Sequence, residues 1–290
     1  MTRAPFVDYA LLALLALLWG SSYLFLKIAV VEIPPLTLIA ARVTVAAVVL
    51  GAVLAGQGKR LPRQGWGLLF LQSILNSSGA WTLLAWGQQR VGAGLAAVLN
   101  STSPVFVVLA ALILTRHEPV PGRRLAGAVL GLAGVAAIVG VGALGGLGSD
   151  VVAQLACLGG AILYAAAAIH GRKVARFGAL ETALGTMLCA TATLLPLAFA
   201  LEDPLALRPS WTAVLSVLAL GMLCTALALL IYFRLVRTLG PLGVASQAYL
   251  RAGIGVLLGV VLLGERPEAA VWAGVAAVLA GVVLINIPKR

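Results

Sequence analysis

Residues 9–31 read YALLALLALLWGSSYLFLKIAVV, an apolar run into which Trp19, Ser22, Tyr23 and Lys27 are set. A hydrocarbon layer about 30 Å thick is crossed by roughly 20 helical residues, so this stretch can span a bilayer. It also has a counterpart. Trp19 and Lys27 lie eight residues apart, as do Tyr164 and Arg172, 145 positions later. Near the end of the same half, Glu118, Gly127 and Gly134 recur as Glu265, Gly274 and Gly281, each shifted by 147. The chain is therefore expected to consist of two copies, residues 1–147 and 148–290, joined by the Gly-rich connection that ends in Ser149 and Asp150.

Working outward, ten stretches have the length and apolarity of spanning helices: about 9–31, 36–56, 65–88, 93–115, 124–143, 151–172, 179–200, 211–235, 241–264 and 270–287. They are rich in Ala, Leu and Gly on nearly every side, whereas barrel strands would need short segments of alternating polarity. With 62% hydrophobic and 10% charged residues, an ordinary soluble domain is excluded. Five spans per copy is an odd number, so the second copy must enter the bilayer upside down, as in many solute carriers. The expected fold is an all-α polytopic membrane protein of ten transmembrane helices in two inverted five-helix repeats.

A net charge of +11 does not indicate nucleic acid, because the basic residues are spread among loops instead of gathered on one face. They set topology instead. With both termini cytoplasmic, the inner segments carry fourteen Lys and Arg, and the outer ones only Arg90, Arg208 and Arg266. That is a decisive positive-inside bias. The outer side also holds Glu32, Asp150, Glu202, Asp203, Glu265 and Glu268. The first run is long and lacks a small-residue cleavage pattern, so it is read as a retained helix. Cys157, Cys189 and Cys224 have no metal or redox spacing, and no cofactor is expected.

Within the spans, Gly127, Gly131, Gly134, Gly274 and Gly281 form small faces suited to close helix packing. Pro104 should kink the fourth helix, with Asn100 to Ser103 taking up the freed backbone groups. Asn76 and Asn100 begin glycosylation-like triplets, and Gly140, Gly142 and Gly145 have a dinucleotide-like spacing. Both signals are false inside apolar helices.

Polar side chains in lipid cost free energy unless they face a cavity or a partner, so they mark solute pathways by default. Trp19, Tyr23 and Lys27 share one face of the first helix, with Ser22 beside them. The third and fourth carry Asn76, Ser77, Ser78 and Trp81, then Asn100, Ser101, Thr102 and Ser103. On the ninth, Gly243, Gln247, Arg251, Gly255 and Gly259 recur every fourth residue, with Tyr249 alongside. Arg251 lies deep in its helix, where a guanidinium costs at least about 2.5 kcal/mol. It needs water, an anion or a carboxylate; a substrate carboxylate and an internal tie to another helix both satisfy it. Lys27 and Arg42, nearer helix ends, read as structural, and so does His170 as a satisfied histidine.

The two five-helix halves, Trp19-Gly20-Ser21-Ser22 with Lys27 beyond it, Arg42, the Pro104 region, and Glu118 and Glu265 at helix ends resemble the drug/metabolite transporter superfamily, EamA type. Within it the chain is similar to YddG-like amino-acid exporters of bacterial inner membranes. The resemblance implies a ten-helix inverted repeat around a central cavity. Departures are Tyr164, where such proteins often carry Trp, and Met187, which falls where a second Arg42 would stand.

The expected function is movement of amino acids, aromatic or other neutral ones included, and related small metabolites across the inner membrane by alternating access. Trp19, Tyr23, Trp81, Tyr164 and Tyr249 would form aromatic walls. Ser22, Asn76, Ser77, Asn100, Ser101 and Gln247 would bond the head group, and Arg251 the carboxylate. All nine acidic residues fall at helix ends or in loops, so facilitated transport without a proton carrier is expected. Efflux of cationic drugs would call for cavity acids, and a phosphorylated-metabolite carrier for a denser basic cluster. An enzyme would need a nucleophile with a base, or a zinc-type histidine spacing. The expected partners are an amino-acid substrate and the lipid bilayer, and the sequence is compatible with a monomer.

Overall fold

Apolar residues without an internal alternation can satisfy their backbone in lipid only by helix formation, and in a computed structural model of the chain, which describes residues 6–114, 122–144, 149–239, 247–266 and 269–286, the regular secondary structure is helical and is joined by short turns. The elements are α1 (Phe6–Ala29), α2 (Pro35–Gly56), α3 (Trp66–Ser73), α4 (Gly79–Gln88), α5 (Ala93–Asn100), α6 (Ser103–Leu114) and α7 (Gly122–Leu144). They continue with α8 (Ser149–Val174), α9 (Ala179–Leu201), α10 (Trp211–Gly221), α11 (Ala228–Thr238), α12 (Gln247–Leu263) and α13 (Ala269–Asn286). No strand occurs among the described residues. Seven of the helical stretches there are long and apolar enough to cross a membrane, and Leu125–Gly134, Gly253–Leu263 and Trp272–Gly281 are shorter apolar segments. The chain is a polytopic, all-helical membrane protein.

Two of the spans contain a π turn. Ile74–Ser78 joins α3 to α4, and Met222–Leu227 joins α10 to α11. In each a hydroxyl reaches back five residues to a carbonyl: Ser78 Oγ to Ser73 O at 3.2 Å, and Thr225 Oγ1 to Leu220 O at 2.8 Å. These two bonds are equivalent under the 147-residue shift. So is Thr44 Oγ1 against Thr191 Oγ1 at 3.4 Å, which joins α2 to α9.

The glycine faces of α7 and α13 meet as expected. A methyl group on Gly134 would lie 2.7 Å from Gly274 O, and one on Gly281 would lie 2.5 Å from Gly127 O. The contact is reciprocal, since 134 pairs with 281 and 127 with 274 under the same shift. Any larger side chain would force the backbones apart.

The fourth span is broken, not merely kinked. Proline supplies no N–H and clashes with the preceding turn, and the helix stops at Asn100, turns through Ser101 and Thr102, and restarts at Ser103. Ser101 Oγ donates to Ala97 O at 2.7 Å and Thr102 Oγ1 to Leu99 O at 2.6 Å. The hydroxyls thus cover carbonyls at the break.

Candidate functional site

One end of the bundle is tied by polar bonds that join distant parts of the chain. Lys27 Nζ, on the last turn of α1, donates to Gln88 O at 2.6 Å and Val91 O at 3.0 Å. Glu202, after α9, accepts from the amides of Leu36 (3.1 Å) and Thr37 (2.7 Å) at the start of α2. Glu32 accepts from Ser210 N at 2.6 Å and Ser210 Oγ at 2.7 Å, at the cap of α10. Glu265 accepts from the amides of Ala93 and Gly94, which open α5. Each carboxylate sits where a helix N-terminus leaves N–H groups unpaired and the helix dipole favours negative charge.

Inward from these ties lies a cavity of about 840 Å³, within the range of roughly 300–1,000 Å³ common for small-molecule sites. Its wall ends at Leu26 and Leu84, next to the ties, and runs the other way to Val174, Phe177 and Ala179, where α8 meets α9. The cavity therefore extends toward the end of the bundle opposite the four carboxylate and lysine ties.

The side chains on this wall hold one another. On α1, Ser22 Oγ donates to Trp19 O at 2.7 Å, and the Trp19 ring lies 5.6 Å from that of Tyr232. Asn100 Nδ2 donates to the Tyr23 hydroxyl at 2.7 Å. Trp81 Nε1 donates to the Tyr164 hydroxyl. The Arg42 guanidinium lies 3.8 Å above the Trp81 ring, and its Nε donates to Thr225 Oγ1 at 3.0 Å. A desolvated cation over an indole gains about 2 kcal/mol, which offsets part of the cost of burying Arg42. The π turn matters here, because it sets the rotation of Thr225 toward α2.

Of the residues expected from sequence, Trp19, Ser22, Tyr23, Asn76, Trp81, Asn100, Tyr164 and Arg251 all line this cavity. Ser77 and Ser101 do not. Ser77 is buried inside the first π turn with no hydrogen-bond partner among the described residues, and Ser101 is spent on Ala97 O. The side chains of Gln247 and Tyr249 lie outside the described residues, as do Gly243 and Glu118. Lys27 and His170 take the structural roles read for them, with His170 Nε2 3.1 Å from Leu68 O.

Arg42 departs from the expectation: besides its structural bonds it stands on the cavity wall. Gln72, Thr182, Thr186, Tyr232 and Phe233 also line it without having been singled out, and so does Cys224, read from sequence only as a cysteine without metal or redox spacing. The threonine pair carried a readable signal, four-residue spacing on one helix face. Its ambiguity is physical, since such hydroxyls also bond back to their own helix, as Thr186 Oγ1 does to Thr182 O at 2.9 Å. No Asp or Glu is among the described residues of the wall.

A polytopic helical protein with a solute-sized, aromatic and polar chamber buried among its spans is built as a membrane carrier. The model of the EamA-like transporter family matches residues 8–140 and again 151–287, and the chain belongs to that family. It is 28% identical to the inner membrane transporter YedA of Escherichia coli (strain K12) over 279 residues, 95% of this chain and 89% of that one. It is 30% identical to a "Probable terminal-alkyne amino-acid exporter" of Streptantibioticus cattleyicolor over 278 residues, 95% and 92% of the two chains. A solved crystal structure shares the fold with a TM-score of 0.68 at 22% identity, covering 97% of this chain and 98% of that chain.

Proposed function

We propose that this membrane transporter moves amino acids and related small metabolites across a bacterial inner membrane, by alternating access around the 840 Å³ cavity. The carrying observation is the joint presence of that mid-span chamber, whose wall runs to the α8–α9 junction, and of the Lys27, Glu32, Glu202 and Glu265 ties at the opposite end. Under the positive-inside rule the tied end is external and the α8–α9 junction, with Arg172, Lys173 and Arg176, is cytoplasmic. The arrangement then corresponds to a state open to the inside, with both termini cytoplasmic.

The finer architecture is proposed on the same footing: ten spans in two inverted copies, residues 1–147 and 148–290, working as a monomer. Support comes from the reciprocal α7–α13 contact, the matching π turns and the Thr44–Thr191 pair, all related by one shift. A contact in which residue i meets j while the equivalents of j and i meet in turn is the mark of a two-fold relation. The relative from Streptantibioticus cattleyicolor, named as a probable amino-acid exporter, supports amino acids as a substrate class.

The test fills the chamber. In proteoliposomes the wild-type protein should exchange radiolabelled amino acids, and Ala168→Trp, which places an indole on the wall, should lower that exchange at least tenfold with an unchanged size-exclusion profile. Undiminished exchange through a folded A168W protein would exclude this cavity as the route.

A further inference from the structure

Two cations from different helices face one chamber. Arg42 belongs to α2 and Arg251 to α12, and both line the same wall. Arg42 is anchored by one hydroxyl and one ring, Thr225 and Trp81, neither of which carries charge. Arg251 has a buried Nε with no hydrogen-bond acceptor among the described residues. The ion pair found among those residues, Arg234 with Asp8 at 3.6 Å, lies elsewhere, between α11 and α1. Tyr164 lines the same cavity as both guanidinium groups, so the two positive charges border one chamber.

A buried arginine kept only for structure is ordinarily neutralised by a carboxylate or has its N–H groups covered by carbonyls. Neither is found for this pair among the described residues. The neutral groups around them, Gln72, Asn76, Asn100, Thr182 and Thr186, can hydrogen-bond a solute but cannot cancel charge. A solute of zero net charge, such as a neutral zwitterion, would leave the positive excess in place. A solute with net negative charge removes the excess, and each planar fork can take a carboxylate through two parallel N–H···O bonds.

We infer that the preferred solute of this cavity carries net charge −1 or −2, as a dicarboxylate or an acidic amino acid does, and that Arg42 and Arg251 are its paired charge-selecting residues. This rests on the reading of the cavity as the solute site, and narrows its substrate class. It also supplies a driving force. An interior-negative potential of 100 mV favours outward movement of one negative charge by about 50-fold at equilibrium, so export needs no proton-binding acid in the membrane.

The experiment measures efflux of radiolabelled succinate, L-glutamate and L-phenylalanine from proteoliposomes, with the potential set by a potassium gradient and valinomycin. The wild-type protein should release succinate or glutamate at least tenfold faster than phenylalanine, and faster still when the interior is made negative. Arg42→Gln and Arg251→Gln should each bring the glutamate-to-phenylalanine ratio close to one, while Arg42→Lys and Arg251→Lys keep it above one. Should a Gln variant fail to give a monodisperse protein, the wild-type selectivity and its response to potential decide alone. Phenylalanine leaving as fast as the anions overturns the inference and leaves the transporter reading standing. Anion release that ignores the potential, or a glutamate preference that survives both Gln substitutions, also overturns it. Failure of all three solutes to move overturns the underlying reading as well.

Discussion

At the scale of single residues, the chamber is held by bonds whose two partners are both needed. Asn100 Nδ2 has the Tyr23 hydroxyl as its acceptor, and Asn100 is almost wholly buried. Tyr23→Phe removes the acceptor without changing the ring's packing and strands the amide. Orphaning a buried donor costs about 1–3 kcal/mol, and hydrogen bonds between membrane helices fall near the low end of that range. The expected loss is about 1 kcal/mol of unfolding free energy in a denaturing-detergent titration; an unchanged midpoint would show that the amide finds another partner. Residue chemistry was the most legible level of this protein. A polar or aromatic side chain in an apolar span stands out by composition alone, and eight residues singled out that way do line one cavity. The misses have local causes. Asn76 and Ser77 are neighbours in sequence, and within the π turn the first reaches the cavity while the second is enclosed, a rotation that composition does not reveal. Arg42 reads as interfacial when counted from its helix end, yet Thr225 and Trp81 draw its head inward, and both come from other helices.

At the scale of elements, the carboxylates Glu32, Glu202 and Glu265 do one job each: they cover the open amides at the start of a helix from the other half of the chain. Glu32 is the exposed one, and its pH behaviour follows from its partners. The Ser210 amide, and then the Ser210 hydroxyl, hold its carboxyl below the ordinary value of 4.5. A depressed carboxyl contributes its tie fully above the ordinary pKa and loses it as pH falls through the depressed one. The amides at the start of α10 should therefore keep their hydrogen-exchange protection, corrected for intrinsic rate, from pH 8 down to pH 5, and lose it only below about 4.5. Glu32→Gln should lower that protection at pH 7. Protection already falling between pH 7 and pH 5 would assign the tie to another group. Where their ends fall within the described residues, the helices were foreseeable to within a few residues because length and apolarity suffice for them. The break at Ser101 was anticipated only as a bend, since a sequence shows that Pro104 removes a bond but not that two neighbouring hydroxyls will stabilise a full interruption.

At the scale of the whole molecule, the proposed repeats and the distribution of basic residues imply an orientation that a single labelling pattern can check. Thr182 stands on the cavity wall near the start of α9, at the end where α8 and α9 meet. The positive-inside rule assigns that end to the cytoplasm, because Arg172, Lys173 and Arg176 flank it. The native thiols of Cys157, Cys189 and Cys224 are buried and can be replaced by alanine to give a silent background. In that background Thr182→Cys should react with a membrane-impermeant maleimide in inside-out vesicles at least tenfold faster than in right-side-out vesicles. A solute that promotes the opposite state should slow the first reaction, because alternating access, as proposed, couples closure at the α8–α9 junction to release of the Glu32, Glu202 and Glu265 ties. Equal reaction from both sides would mean that the tied end is no barrier, and faster reaction in right-side-out vesicles would mean that the chain sits in the membrane the other way up.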